Sequence, residues 1–193
     1  MNQHGDNRGD EAALTAMLDG LEQRLGPTRF TVLHQFRDPD ARVEVDHRVE
    51  WMSLVIGVVG LCRLGIYVAL ARLHLHPVFV LDRRGRRIVD AYRRADVVIS
   101  APGGPYFGDI YADHEPVHWL YVWLARVERC PTALYATSAG PFEKRWRNPF
   151  RRWTYRCFDI VIVREERSAR LVRSLMGPGF EVEVTTDSVS YTH

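Results

Sequence analysis

The chain has 193 residues, of which 46% are hydrophobic, 26% charged and 11% aromatic. That is enough to bury one globular core, is too apolar for a disordered chain, and leaves no room for two full-sized domains flanking a cleft. The 26 basic and 24 acidic residues give a net charge of +2, so bulk charge points to no nucleic-acid partner; Lys144 is the only lysine among the cations.

Cys62, Cys130 and Cys157 are odd in number and lack a CxxC spacing, which excludes a disulfide framework and a cysteine zinc site. The first 14 residues hold no apolar run of the kind a secretory signal needs, so the expected compartment is the cytoplasm.

In chain order, Gly5-Asp6-Asn7-Arg8-Gly9-Asp10-Glu11 leads into a helix over residues 10–25. Ala13, Met17 and Leu21, with Leu14 and Leu18, recur at helical spacing, and Gly26-Pro27 stops the helix. Glycines beside a helix N-terminus suit an anion. The spacing is not GxGxxG, however, and Asp10 as a plain N-cap is the simpler reading.

Residues 30–36 read as a strand and 37–48 as a loop. Residues 51–73 form the most apolar stretch, interrupted by Ser53, Arg63 and Arg72. A buried helix or helix pair is the first reading, and a helix lying in a membrane interface is the alternative. A true span is disfavoured, because Arg63 stands at the centre, where a charge costs roughly 2.5–3.5 kcal/mol.

Short apolar strands then alternate with helices. A basic helix over 83–94 precedes a strand over 96–100 and a glycine-rich loop over 102–113. Next come a helix over 117–127, a strand over 132–138 and a basic helix over 147–156. A strand over 159–163, a helix over 165–176 stopped by Gly177-Pro178, and a strand over 180–185 complete the series. This alternation indicates an α/β fold, Rossmann-like, with a parallel sheet flanked by helices in one unit over 1–193. Such sheets bind ligands at the carboxyl ends of their strands, which directs attention to the loops after Ser100, Ser138 and Val163.

Each of these loops carries a motif. In Pro102-Gly103-Gly104-Pro105-Tyr106-Phe107-Gly108-Asp109, glycines keep the loop thin and Asp109 is offered at the sheet edge, where a carboxylate can serve a sugar hydroxyl as acid or base. Ser138-Ala139-Gly140-Pro141 offers a hydroxyl and backbone amides to an oxyanion. Val163-Arg164-Glu165-Glu166-Arg167-Ser168 sets a guanidinium beside a helix N-terminus, a pairing that suits phosphate or carboxylate. The plainer readings are a structural Asp109 and ordinary helix-start ion pairs.

In this order N-R-G-D-E-A-A (7–13), P-G-G-x-x-F-G-D (102–109), S-A-G-P-F (138–142), D-I-V-I-V-R-E-E-R-S (159–168) and T-T-D-S (185–188) resemble the polysaccharide pyruvyl transferase family, over nearly the whole chain. The resemblance implies the N-terminal half of a GT-B-type two-domain transferase. It implies transfer of a pyruvyl group from phosphoenolpyruvate onto two hydroxyls of a surface polysaccharide, as a ketal, with no metal or other cofactor. Asp109 matches the family's aspartate near the reacting hydroxyl or the donor, and Arg164 the arginine suited to the donor's anionic groups; both are expected to be catalytic. Asn7, Gly9, Asp10, Gly103, Gly104, Phe107, Ser138 and Glu165 are carried over as substrate-binding positions.

Two departures stand out: Pro105 replaces the third glycine of the usual run, and the family's C-terminal domain with its Arg-His pair has no counterpart in these residues. The expected partners are phosphoenolpyruvate and a saccharide acceptor, lipid-linked forms included. Peripheral membrane contact, a homo-oligomer and a separate C-terminal domain are further expectations; nucleic acid is not expected. A non-catalytic saccharide-binding remnant and a GT-B fragment using a nucleotide-sugar stay open.

Two other patterns compete. His114-Glu115-Pro116-Val117-His118 matches the HExxH zinc motif, but Pro116 inside it starts rather than continues a helix, so a polar loop near Asp109 is expected. His74-x-His76 is a weaker pair of the same kind. Residues 144–156 hold six cations and no acid, interleaved with Trp146, Phe150, Trp153 and Tyr155. The expected form is an amphipathic helix with aromatics inward and arginines in water; a helix resting on anionic lipid is the alternative.

Overall fold

The computed structural model describes residues 8–34, 48–54, 56–101, 103–110 and 112–185. Seven strands, β1 (Phe30–His34), β2 (Val49–Ser53), β3 (Val98–Ser100), β4 (Gly103–Phe107), β5 (Thr132–Ala139), β6 (Ile160–Val163) and β7 (Glu183–Val184), are among them. Six α-helices accompany these: α1 (Arg8–Leu25), α2 (Gly57–Ala71), α3 (Arg83–Arg94), α4 (Glu115–Val127), α5 (Asn148–Tyr155) and α6 (Glu166–Met176). β1 and β2 pair in one parallel sheet. The larger sheet runs β3-β5-β6-β7, all parallel, with β4 also on β5.

The expected parallel α/β arrangement is therefore present, and its helices lie on both faces. Ile99 and Tyr135 pack with Leu14 and Leu18 of α1, whereas their neighbours Val98 and Leu134 face the clusters built by α2 to α6. Alternation along a strand sends successive side chains to opposite faces, which is why adjacent residues join different clusters.

The helices start and stop where local chemistry demands. Asp82 caps α3 by accepting from the Gly85 amide at 2.7 Å, while Arg93 and Arg94 sit in its last turn, where cations offset the carbonyl end of the helix dipole. Pro116 and Pro149 stand in the first turns of α4 and α5, where a missing N–H costs nothing. Gly177, with φ +99°, ends α6.

Four expectations change. α1 begins at Arg8, so Asp10 lies inside its first turn rather than capping it. The apolar stretch at 51–73 is not a helix pair: its first residues belong to β2, which takes up β1 as its partner, and only Gly57–Ala71 is helical. At 1.5 Å per residue α2 reaches about 22 Å, short of a bilayer core, and among the described residues no helix is long and apolar enough to cross a membrane.

The glycine-rich segment contains a strand, β4, because β5 extends past β3 and supplies it with a partner. The fourth correction concerns Arg151 of α5, which is fully buried instead of facing water. The expected loop over 37–48 lies, but for Arg48, outside the described residues, as do Asn7 and the last three residues of the T-T-D-S segment.

β5 carries an irregularity that sets up the carboxyl edge of the sheet. Leu134 pairs with Val161, but Thr137 already pairs with Val163, so β5 holds one residue more than β6 between these points. The extra length is taken up by Ala136, buried with φ +50°. A left-handed non-glycine residue costs about 1–2 kcal/mol, and a bulge of this kind re-aims the side chains that follow it.

Past the bulge, the chain after β4 lies tight against the chain after β5. The Gly140 amide donates to the Phe107 carbonyl at 2.8 Å, and the Asp109 amide to the Pro141 carbonyl at 2.9 Å. Gly108, at φ +153°, leaves no space for a side chain: a Cβ there would lie 2.5 Å from the Gly140 oxygen. Gly108→Ala is expected to cost more than about 2 kcal/mol, read as a lower urea midpoint, because both backbones would have to part. Gly20→Ala, on α1 with nothing within 4 Å of the new methyl, should instead stabilise by about 0.5–1 kcal/mol in the same titration.

Candidate active site

At the carboxyl edge of the sheet, Asp109 follows β4 and faces the loop that follows β5. Its Oδ2 accepts from the amides of Glu143 at 2.6 Å and Lys144 at 3.0 Å, and its Oδ1 from Arg151 Nη2 at 2.7 Å. Burial pushes the carboxyl up. The Arg151 hydrogen bond, the two amides and the guanidinium charge outweigh that, and hold it below the ordinary carboxylate range.

Arg151 is the centre of this arrangement. Its side chain is wholly buried, with Nε 2.7 Å from Glu115 Oε1 and Nη2 2.9 Å from Glu115 Oε2, while Nη1 donates to Asn148 Oδ1 at 3.1 Å. One face of the guanidinium lies 5.1 Å from the Phe142 ring centroid. Glu115, also fully buried, takes a further bond from the Gly108 amide at 3.0 Å and one from Arg147 Nη1 at 3.3 Å. Two carboxylates and two guanidiniums thus cancel in charge within one cluster, of which Glu115 and Arg151 are fully buried.

Neither Glu115 nor Arg151 was singled out for this role by the sequence. Glu115 stood in the HExxH pattern and Arg151 in a run of cations read as solvated. In the structure the Glu115 carboxylate is occupied by two arginines, and no three His, Cys, Asp or Glu side chains gather around a metal-sized space among the described residues. The signal available was spacing: Arg147, just ahead of α5, and Arg151 and Tyr155 on its buried face recur every fourth residue. The aromatic side chains Trp146 and Phe150, expected inside, are exposed.

A second group gathers at the ends of β5 and β6. Glu165 accepts from Ser168 Oγ at 2.6 Å and from Arg164 Nε at 3.0 Å, and shares a hydrogen bond with the Ser138 hydroxyl. Burial raises its carboxyl, but the two hydroxyls and Arg164 bring it below its ordinary value. Arg164 directly precedes Glu165, the N-cap of α6, with its side chain about one third exposed (34%). The oxyanion role expected of the 138–141 amides does not fit: Ala139 N donates to Ser168 Oγ at 2.9 Å, Gly140 N to Phe107, and Pro141 has no N–H.

The remaining sequence-derived positions lie around these two groups. Gly103 and Gly104 are in β4, with Gly103 paired to Thr137. The Phe107 ring is buried against Tyr155 and Phe158, so its side chain faces the core. Gly9 and Asp10 are in α1.

A sequence model of the family described as polysaccharide pyruvyl transferase matches residues 7–192. The chain belongs to that family. Neither the curated proteins nor the solved structures yield a match. Membership in the polysaccharide pyruvyl transferase family makes this a chain of transferase lineage, with a donor and a saccharide acceptor as the substrates the family implies. The segments that carry the resemblance in the sequence lie at the carboxyl edge just described: 102–109 ends on Asp109, 138–142 carries Ser138 and Phe142, and 159–168 carries Arg164, Glu165 and Ser168.

Arg151→Met leaves the buried Glu115 carboxylate with Arg147 alone and the half-buried Asp109 carboxylate with only two backbone amides, and is expected to cost about 3–5 kcal/mol in a denaturant titration. The Asp109 carboxyl is depressed in the fold, so its contribution is fully present above the unfolded-state value near pH 4 and is lost as pH falls through the lower folded value. Asp109→Asn should therefore reduce stability at neutral pH and flatten its decline below about pH 4, measured as unfolding midpoints across a pH series.

Proposed function

We propose that this chain transfers a pyruvyl group from phosphoenolpyruvate to two hydroxyls of a saccharide, forming a ketal and releasing phosphate. The observation that carries the reading is the family match over residues 7–192. It is supported by the gathering of Asp109, Ser138, Arg164 and Glu165 at the carboxyl edge of a parallel sheet, where such folds bind ligands. The fold is proposed to correspond to the N-terminal half of a GT-B-type transferase acting in the cytoplasm on cell-envelope saccharide.

In the proposed reaction the methylene carbon of the enol gains a proton and one acceptor hydroxyl adds to the adjacent carbon. Loss of phosphate leaves a cation-like centre, which the second hydroxyl closes as the ketal, each hydroxyl giving up its proton. Arg164, ahead of an eleven-residue helix, is proposed to bind the donor's phosphate or carboxylate, since guanidinium and helix N-terminus both favour an anion.

The environment of Asp109 refines its proposed catalytic role. Three donors already occupy its oxygens, leaving about one of the four lone-pair positions of a carboxylate. A depressed carboxyl is a weak base at neutral pH. Asp109 is therefore proposed to orient an acceptor hydroxyl and offset positive charge at the reacting carbon, rather than to carry a proton away.

Phosphate release from phosphoenolpyruvate in the presence of a saccharide acceptor tests the reading. Arg164→Ala is expected to lower kcat/KM on the order of 10²-fold, chiefly by weakening donor binding, while thermal melting stays unchanged. Saccharide binding without phosphate release would favour the non-catalytic module, and displacement of a bound nucleotide-sugar would favour the glycosyltransferase.

A further inference from the structure

The side of α2 turned away from the core is apolar and uncovered. Val58, Val59 and Ile66 are exposed on it, with Val58 77% exposed, and Leu73 continues the surface beyond the helix end. At about 100° per residue, Val58, Cys62, Ile66, Ala69 and Leu73 fall in one stripe, and Arg63 and Arg72 stand on its two flanks. No acidic residue occurs between Glu50 and Asp82. Scattered exposed apolar residues are ordinary, but a continuous stripe of this length marks a contact surface.

The stripe runs into a basic groove. The C-terminal ends of α2, α4 and α5 frame a groove of about 720 Å³, lined by Arg72, Arg126, Arg129 and Arg156. Trp123 and Trp153 stack in it with centroids 4.1 Å apart, and the Arg72 guanidinium lies 4.3 Å over Trp153. Among the described residues, no side-chain hydrogen bond or ion pair engages Arg126, Arg129 or Arg156. The acid that lines the groove, Glu128, is neutralised within the protein: Arg93 Nε lies 2.7 Å away and the Tyr67 hydroxyl 2.5 Å.

Apolar side chains flanked by unpaired arginines and tryptophan are the composition of an element lying in a lipid interface, with stems and rings among acyl chains and guanidiniums at the phosphates. A second copy of the chain paired through this face would set the arginine rim against its own, whereas anionic headgroups complement it. We propose that the outer face of α2 and the adjoining arginine groove form a docking surface for an anionic phospholipid bilayer. The proposal is independent of the pyruvyl-transfer reading, because vesicle binding requires no turnover.

Vesicle flotation with the full chain tests it. The chain is expected to float with vesicles of equal parts phosphatidylglycerol and phosphatidylcholine, not with phosphatidylcholine alone, and to be released as salt is raised. Arg126→Gln combined with Arg156→Gln should lower the partition coefficient on the order of 25-fold, about five-fold for each arginine. Ile66→Asp should lower it about ten-fold or more, with circular dichroism melting used to confirm folding; if that variant does not fold, the arginine pair decides.

Equal partition onto both vesicle types, absence of partition, or an undiminished partition of the arginine variant would each overturn the proposal. So would displacement from vesicles by inorganic phosphate at constant ionic strength, which would make the groove a soluble-anion site. A dimer that Ile66→Asp dissociates, in a chain that ignores vesicles, would assign the stripe to self-association instead.

Discussion

The carboxyl edge of the sheet depends on one buried guanidinium. Arg151 reaches from α5 to the first residue of α4 and to the loop after β4, so three separate segments share a single charge. Withdrawing an arginine from water is expensive, and the expense is tolerable only when its donors find acceptors and its charge finds counter-charge. Here four hydrogen bonds and two carboxylates meet that condition, with Arg147 balancing the second acid. The planar fork of arginine suits this bidentate geometry, which a lysine ammonium would not reproduce.

That cluster acts together with a steric constraint. Gly108 and Gly140 bring the chains after β4 and β5 closer than any side chain would permit, and a Cβ at Gly140 would itself meet Leu171 of α6 at 2.7 Å. The bulge at Ala136 supplies the offset that lets β4 continue along β5 where β3 stops. Electrostatics and close packing thus hold the same two loops from opposite sides: the ion cluster beneath, the backbone bonds across. A site on such a scaffold is placed by the sheet rather than by mobile loops.

Much of this was legible in the residues. The helices from α3 onward were readable from period and punctuation, since an apolar stripe such as Ile88, Val89 and Tyr92 and stops such as Gly177-Pro178 are local signals. Position at strand ends was readable as well, which is why Asp109, Ser138, Arg164 and Glu165 were selected and why the family resemblance rested on those segments. What escaped depends on partners far away in sequence. β4 is rich in glycine and proline and reads as a loop until β5 pairs with it. β2 reads as the start of a helix until β1 pairs with it. Arg151 reads as solvated because nothing near it in the chain announces Glu115, which is 36 residues away.

The length of β5 has a consequence for how the two surfaces of the molecule relate. Helices in a parallel α/β unit run against their strands, so the groove at the ends of α4 and α5 lies beside the starts of β5 and β6, and Asp109 and Arg164 lie at the far ends. Eight residues of extended chain span about 26 Å. The strand is in effect a ruler between a basic floor and the carboxyl edge. The groove and the edge are thus separated by the depth of the sheet, so that one surface can be occupied without covering the other.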